Sequence, residues 1–259
     1  MTEKQLKDSQ MQVIKEMARS WTAAVQEMLE RWYQMARGGL VRLSDAVGEM
    51  RAILGEWPER VYATVAGLID RMFSDSYRDG ASAAEVEAWG MGPSEGQALA
   101  WMKNSPNGLV PALRDLTRGV QRRIERGLSR MGSVIPVSSA LRLAMDVASR
   151  VVSRPELIVR TESAKARALG RIYAWGHDRY RDRYHYWWIA MDDDRTKDVS
   201  LLFERAGPYA WQQIRHLWEF EHDQPQLVRN RHTRGMEMQV SAWNCRCTVA
   251  RTPRGAVAV

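Results

Sequence analysis

Large apolar side chains recur at steps of three and four along the first part of the chain. Ile14, Met17, Trp21, Val25, Met28, Trp32 and Met35 fall on one face of a helix. Gly38 and Gly39 follow in "RGGL", and a glycine just past the last periodic residue takes the left-handed backbone that ends a helix. Val47, Met50 and Leu54 predict a second helix, beginning after Ser44 or Asp45. Pro58 in "EWPER" is expected to interrupt it, because proline lacks the N–H and its ring crowds the preceding turn. Val61, Val65, Leu68 and Met72 predict a third helix. These stripes read as core, with the methionine-rich first helix as the candidate face for a partner.

The texture changes over residues 80–110, where glycine, proline and small residues gather. Short helices joined by turns are expected there, opened by a capping box from Ser82 to Glu85. Then Arg114, Arg118, Arg122, Arg126 and Arg130 recur every four residues, with Arg123 beside them. That spacing lines one face of a helix with guanidinium groups. A further helix is expected from about Ser138 to Val152. From about residue 155 the pattern becomes mixed. "RPELIVRTESAKARALGRIYAWGHDRY" is apolar and then helical, "RYHYWWIA" is an aromatic strand running into an acidic turn, and "YAWQQIRHLW" is a short helix. "HDQPQLVRNRHTRG" reads as a polar loop, and "MEMQV" and "CTVAR" read as strands. The fold class is therefore α+β, a mainly helical N-terminal region followed by a small α+β domain with a short sheet. The boundary is placed at 110/111, with the α+β part from about 155.

Charge adds one thing to this picture. Net charge is +7 and the isoelectric point about 9.6, which favours nucleic acid, acidic protein surfaces or anionic lipid as partners. No apolar run approaches the roughly 18 residues of a membrane span, and "MTEKQLKDSQMQ" has no signal-peptide core, so a cytoplasmic site of synthesis is expected. Arginine rows can clamp DNA phosphates, and they can equally be a solvated face or pair with a neighbouring subunit's carboxylates.

Three motifs in the last hundred residues form an ordered set. They are "VRTESAKARALG" from 159, "WWIAMDDDRTKD" from 187, and "NCRC" at 244 to 247. In this order they resemble the phage head morphogenesis family, the Mu F-like minor head proteins, over roughly residues 110 to 250. Arg160, Thr161 and Glu162 match the element that opens a helix in that family. Trp187 or Trp188, then Asp193 or Asp194, Arg195 and Thr196, match the tryptophan strand and its turn. Asn244, Cys245, Arg246 and Cys247 match the closing element. Residues 1–110 carry no such signal. Many relatives place further cysteines or a histidine after the turn, where this chain has Lys197, Asp198, Val199 and Ser200. Two of four zinc ligands are thus missing, and Cys245 and Cys247 would need His232 and His222 to complete a site. The metal-free reading is preferred, with no cofactor. On it, Cys245 and Cys247 face the core from one side of a closing strand, while Arg246 reaches Asp194, Glu162 or Asp193.

No nucleotide-binding loop, nucleophile elbow or zinc-protease motif is present, so a non-enzymatic role is expected. The resemblance implies a structural virion protein that joins the assembling head. It would lie in the capsid interior or near the portal, after assembly in the host cytoplasm. Its partners would be the portal protein, capsid or scaffold proteins and double-stranded DNA, with no membrane, and DNA ejection is part of what the resemblance suggests. The competing readings are a metal-dependent nuclease or toxin-like effector using Asp192, Asp193 and Asp194, and a DNA-binding regulator using the arginine row.

Overall fold

The fold is taken from a computed structural model. It describes residues 3–84, 96, 100, 102, 109–151, 154–190, 198–223, 226–229, 235–239 and 247–255. The chain is mainly helical with short antiparallel strand pairs, an α+β protein as the sequence predicts. In chain order the elements are α1 (Glu3–Met35), β1 (Leu40–Arg42), α2 (Leu43–Ser82), α3 (Leu109–Ser129), β2 (Val134–Pro136), α4 (Val137–Ser149) and α5 (Arg154–Gly176). They continue as β3 (Tyr184–Ile189), α6 (Asp198–Ala206), α7 (Trp211–Asp223), β4 (Gln226–Arg229), β5 (Met236–Gln239) and β6 (Thr248–Pro253). The strands pair as β1 with β2, β3 with β6, and β4 with β5, all antiparallel.

Two compact units divide the chain. The first comprises Met1–Gln10, Asp70–Leu109 and Ile158–Val259, and the second Met11–Ile69 and Val110–Leu157. The breaks between them fall at 10/11, 69/70, 109/110 and 157/158, each within a helix.

In the second unit the α1 stripe is buried much as predicted, as Val13, Met17, Trp21, Ala24, Met28 and Trp32, with Val13 rather than Ile14 in the core. Tryptophans can be buried here because their indole N–H groups find acceptors. Trp32 donates to the Ala46 carbonyl at 2.8 Å, and Trp57 to the Ser20 hydroxyl at 3.1 Å. Trp21 and Trp57 meet edge to face, with ring centroids 4.9 Å apart. Gly38 and Gly39 end α1 with φ of 58° and 78°, the conformation their position predicts.

Pro58 does not interrupt the second helix. One helix runs from Leu43 to Ser82 with the proline inside it. A proline in a helix interior costs about 3 kcal/mol. Against that, Met50, Leu54, Trp57, Val61 and Val65 are all buried on one continuous face. Burying each such side chain contributes about 1.5–3 kcal/mol, so the packing outweighs the proline. Ser82 is the last residue of this helix. The rest of the predicted capping box, Glu85, lies outside the described residues.

The first unit is built on α5, which runs as one helix from Arg154, and on the β3–β6 pair. β3 aligns Tyr184 with Pro253 and Ile189 with Thr248. Inward positions of β3 supply Tyr186 and Trp188, both buried. Trp188 meets Trp218 at a tilt, 5.0 Å between ring centroids, and Phe203 edge to face at 5.4 Å, which docks α7 and α6 on the sheet. On the α5 side, Trp175 meets Tyr186 at 5.5 Å. Tyr173 donates to Glu219 at 2.8 Å, and burial, with that carboxylate beside it, pushes the Tyr173 hydroxyl up to about 12. The segment predicted as a polar loop after residue 221 contains a strand, β4, whose partner β5 matches the "MEMQV" prediction. Its alternation is too short and too polar to register as a strand. Helix α6 is likewise not predicted by the sequence pattern.

Candidate functional site

Helix α3 carries the arginine row because its two faces differ. Leu113, Val120, Ile124 and Leu128 are buried, and Thr117 returns its hydroxyl to the Leu113 carbonyl at 2.7 Å. The opposite face is left to Arg114, Arg118, Arg122, Arg123 and Arg126, with Arg130 just beyond the helix end, and all six are exposed. Steps of four residues advance the row by about 6 Å each.

The row is not uniform. Arg114 pairs with Glu59 at 2.6 Å, and Arg118 with Asp115 at 3.4 Å. Glu125, the carboxylate nearest the end of the row, is taken by Arg51 at 2.7 Å. Arg122 and Arg126 turn their Nε back to the carbonyls of Arg118 and Arg122, at 3.3 and 3.1 Å. Among the described residues, none of Arg122, Arg123, Arg126 and Arg130 has a carboxylate partner. These four line a shallow recess with Gly119, Glu125 and Ser129. Among the described residues the row therefore divides into a paired N-terminal half and a C-terminal half without carboxylate partners.

The motif residues fall in the first unit. Arg160, Thr161 and Glu162 lie on α5 across its second and third turns, not at its start. Thr161 and Glu162 are buried. Glu162 accepts from Lys165 one turn on, at 2.7 Å, and both side chains are only 4% exposed. Burial pushes the Glu162 carboxyl above its ordinary range, with the Lys165 ammonium pulling the other way. The motif does not single out Lys165, although its spacing of three from Glu162 is that of a helical ion pair. Trp188 sits opposite Val249 of β6. Cys247 is buried and stands immediately before β6. The α5 helix reaches this strand through Arg171, which donates to the Thr248 hydroxyl at 3.2 Å. The structure thus brings the Arg-Thr-Glu helix, the tryptophan strand and the closing strand into one unit.

Asp192, Asp193, Asp194, Arg195, Thr196, His232, Asn244, Cys245 and Arg246 lie outside the described residues, as does the side chain of His222. Among the described residues no group of three or more histidine, cysteine, aspartate or glutamate side chains could hold a metal ion. Nor, among them, is any helix long and apolar enough to cross a membrane.

A second cation-rich feature, absent from the sequence-based candidates, surrounds the short helical turn Arg181–Arg183. The sequence "DRYRDRYHYW" alternates arginine with aromatic residues, and that alternation is the signal that could have found it. The guanidinium groups of Arg179 and Arg183 stand over the Tyr180 ring, 4.5 and 4.6 Å from its centroid. Arg251 stands over Tyr184 at 4.3 Å. Compared with protein-family profiles, curated proteins and solved structures, the chain matches none.

Proposed function

We propose that this protein is a structural minor head protein of a tailed phage, of the Mu F-like kind, which acts in capsid assembly by binding other components of the head. The portal protein, capsid or scaffold proteins and packaged double-stranded DNA are the partners this reading assigns, and the virion interior or portal vicinity is its place. The observation that carries the proposal is the meeting of three sequence-distant motif segments in one unit: the α5 helix with Glu162, the Trp188 strand, and the strand that follows Cys247. Arg122, Arg123, Arg126 and Arg130, exposed and without a carboxylate partner among the described residues, are the surface through which binding is proposed. Their charge suits phosphate or an acidic protein face, and their fork geometry suits either in bidentate fashion.

The DNA part of this reading makes a quantitative claim. Retention on duplex DNA should fall steeply as salt rises. Changing Arg122, Arg123, Arg126 and Arg130 together to alanine should cut affinity at low salt by at least about tenfold. The salt slope should shrink by about 0.9 for each phosphate that is no longer neutralised. Because all four are exposed, thermal stability should change little. Unchanged retention removes DNA from the proposal. Co-purification with a portal protein, weakened by the same four substitutions, tests the protein-partner part. Failure of both retention and co-purification overturns the assignment.

A further inference from the structure

The turn between α5 and β3 is a rigid platform of cations that the arginine row of α3 does not explain. Asp178 fixes it from within. One carboxylate oxygen accepts from the Tyr180 backbone N–H at 2.8 Å, and the other from Arg251 at 2.7 Å. Arg251 and Asp178 are both nearly buried, at 14% and 11% side-chain exposure, so their charges cancel inside the fold. The backbone closes around them. Arg181 N–H donates to the Asp178 carbonyl, Arg183 N–H to that of Tyr180 at 2.7 Å, and Arg254 N–H to that of Arg183 at 2.7 Å. The Tyr186 hydroxyl donates to the Arg181 carbonyl at 3.0 Å, and Arg181 itself is held by the Gly176 carbonyl and the Trp211 ring.

What this frame presents outward is Arg179, Tyr180, Arg183 and Arg254, all exposed, with Asp182 as the exposed acid of the turn. Among the described residues neither Arg179 nor Arg183 has a carboxylate partner. Their two centroid distances, laid end to end, cap the separation of their guanidinium carbons. Stacking on Tyr180 holds the planes in place and leaves the N–H edges to donate. Each guanidinium held on this ring can donate to the oxygens of an anion.

We infer that Arg179 and Arg183, stacked on Tyr180 and flanked by Arg254, form a second anion site, one that takes backbone phosphates of a nucleic-acid strand. Nucleic acid is favoured over an acidic protein because the site offers arginine forks held against an aromatic ring, a combination suited to backbone phosphates. The site lies wholly in the first unit, whereas the α3 row belongs to the second.

The test uses the full-length chain and fluorescence anisotropy with labelled duplex and single-stranded DNA over a salt series. Arg179→Gln/Arg183→Gln should weaken binding by about tenfold at low salt. It should also reduce the salt slope, for each phosphate left without its arginine, by about 0.9 on duplex or about 0.7 on single strands. Arg179→Lys/Arg183→Lys keeps the charge and removes the fork, so its effect should be intermediate. Combined with the α3 substitutions, the fold-reductions in affinity should multiply, as for separate sites. Affinity and slope unchanged in Arg179→Gln/Arg183→Gln, with an unchanged melting temperature, would overturn the inference. So would polyglutamate or phosphatidylserine vesicles competing as well as DNA at equal charge.

Discussion

Gly170→Ala is expected to destabilise the protein by more than about 3 kcal/mol, the reverse of what alanine does in most helices. In an open helix position alanine is favoured over glycine by roughly 0.5–1 kcal/mol. Here α5 crosses the last turns of α2 within the first unit, backbone on backbone. A β-carbon on Gly170 would overlap the Tyr77 carbonyl oxygen, lie 2.9 Å from its carbon and reach 3.0 Å from the Ala81 nitrogen. Gly80 meets the same crossing from the other side. Its β-carbon would overlap the Arg167 carbonyl oxygen and stand 2.7 Å from the carbon. No flexible side-chain tip is available to yield, so the helices must separate. Separation would loosen the apolar packing along the rest of the crossing, which is why the cost should exceed ordinary overpacking of about 1–3 kcal/mol. Gly67→Ala is the control. That glycine is also in α2, but nothing lies within 4 Å of its added carbon, so stability should rise by up to about 1 kcal/mol. Because Gly80 and Gly170 report on one crossing, Gly80→Ala/Gly170→Ala should cost less than the sum of the single changes. Urea unfolding of the four variants decides it. A Gly170→Ala protein as stable as the parent would mean that the helices do not approach in this way.

Those glycines are invisible in the sequence for a physical reason. "ALGRI" reads as an ordinary helix with a tolerated glycine, because what a glycine admits depends on a segment about ninety residues earlier (Gly80 to Gly170). Local periodicity carries further. It places the α1 face, the stop at Gly38 and Gly39, the outward arginines of α3, and strands β3, β5 and β6. At Pro58 the local proline rule and the pattern disagree. Met50, Leu54, Trp57, Val61 and Val65 keep their helical spacing straight across the proline, and that unbroken period is the better guide. The candidate site is legible only in part. Six arginines can be named from spacing, but which of them are neutralised depends on Glu59 and Arg51, carboxylate and cation from a different helix. The units themselves cannot be read, since each gathers segments far apart in the chain and no composition change marks the breaks inside α1 and α2.

The largest electrostatic effect is expected at Glu162. The sequence names Glu162, with Asp194 and Asp193, as a candidate partner of Arg246, which lies outside the described residues; among those residues Glu162 accepts from Lys165 on the same helix. Glu162→Ala removes the acceptor and leaves an ammonium in a site almost without water. Breaking one side of a buried ion pair costs about 3–5 kcal/mol, because the surviving charge loses this acceptor while staying shielded from water. Glu162→Leu/Lys165→Met removes both charges and should recover most of that loss, as apolar replacements of buried pairs do. The titration has a definite sign. Burial holds the folded-state value of Glu162 above its ordinary 4.5, so the native protein binds this proton more tightly than the unfolded chain does. Stability from this group is therefore full below pH 4.5 and is lost as pH rises through the raised value. Glu162→Gln cannot ionise, so the stability of the parent relative to Glu162→Gln should fall across that window. Denaturant unfolding at a series of pH values measures both effects. A difference between the two proteins that stays flat with pH, or a Glu162→Ala cost below about 1 kcal/mol, would place Glu162 in contact with water and remove the buried pair from the centre of this unit.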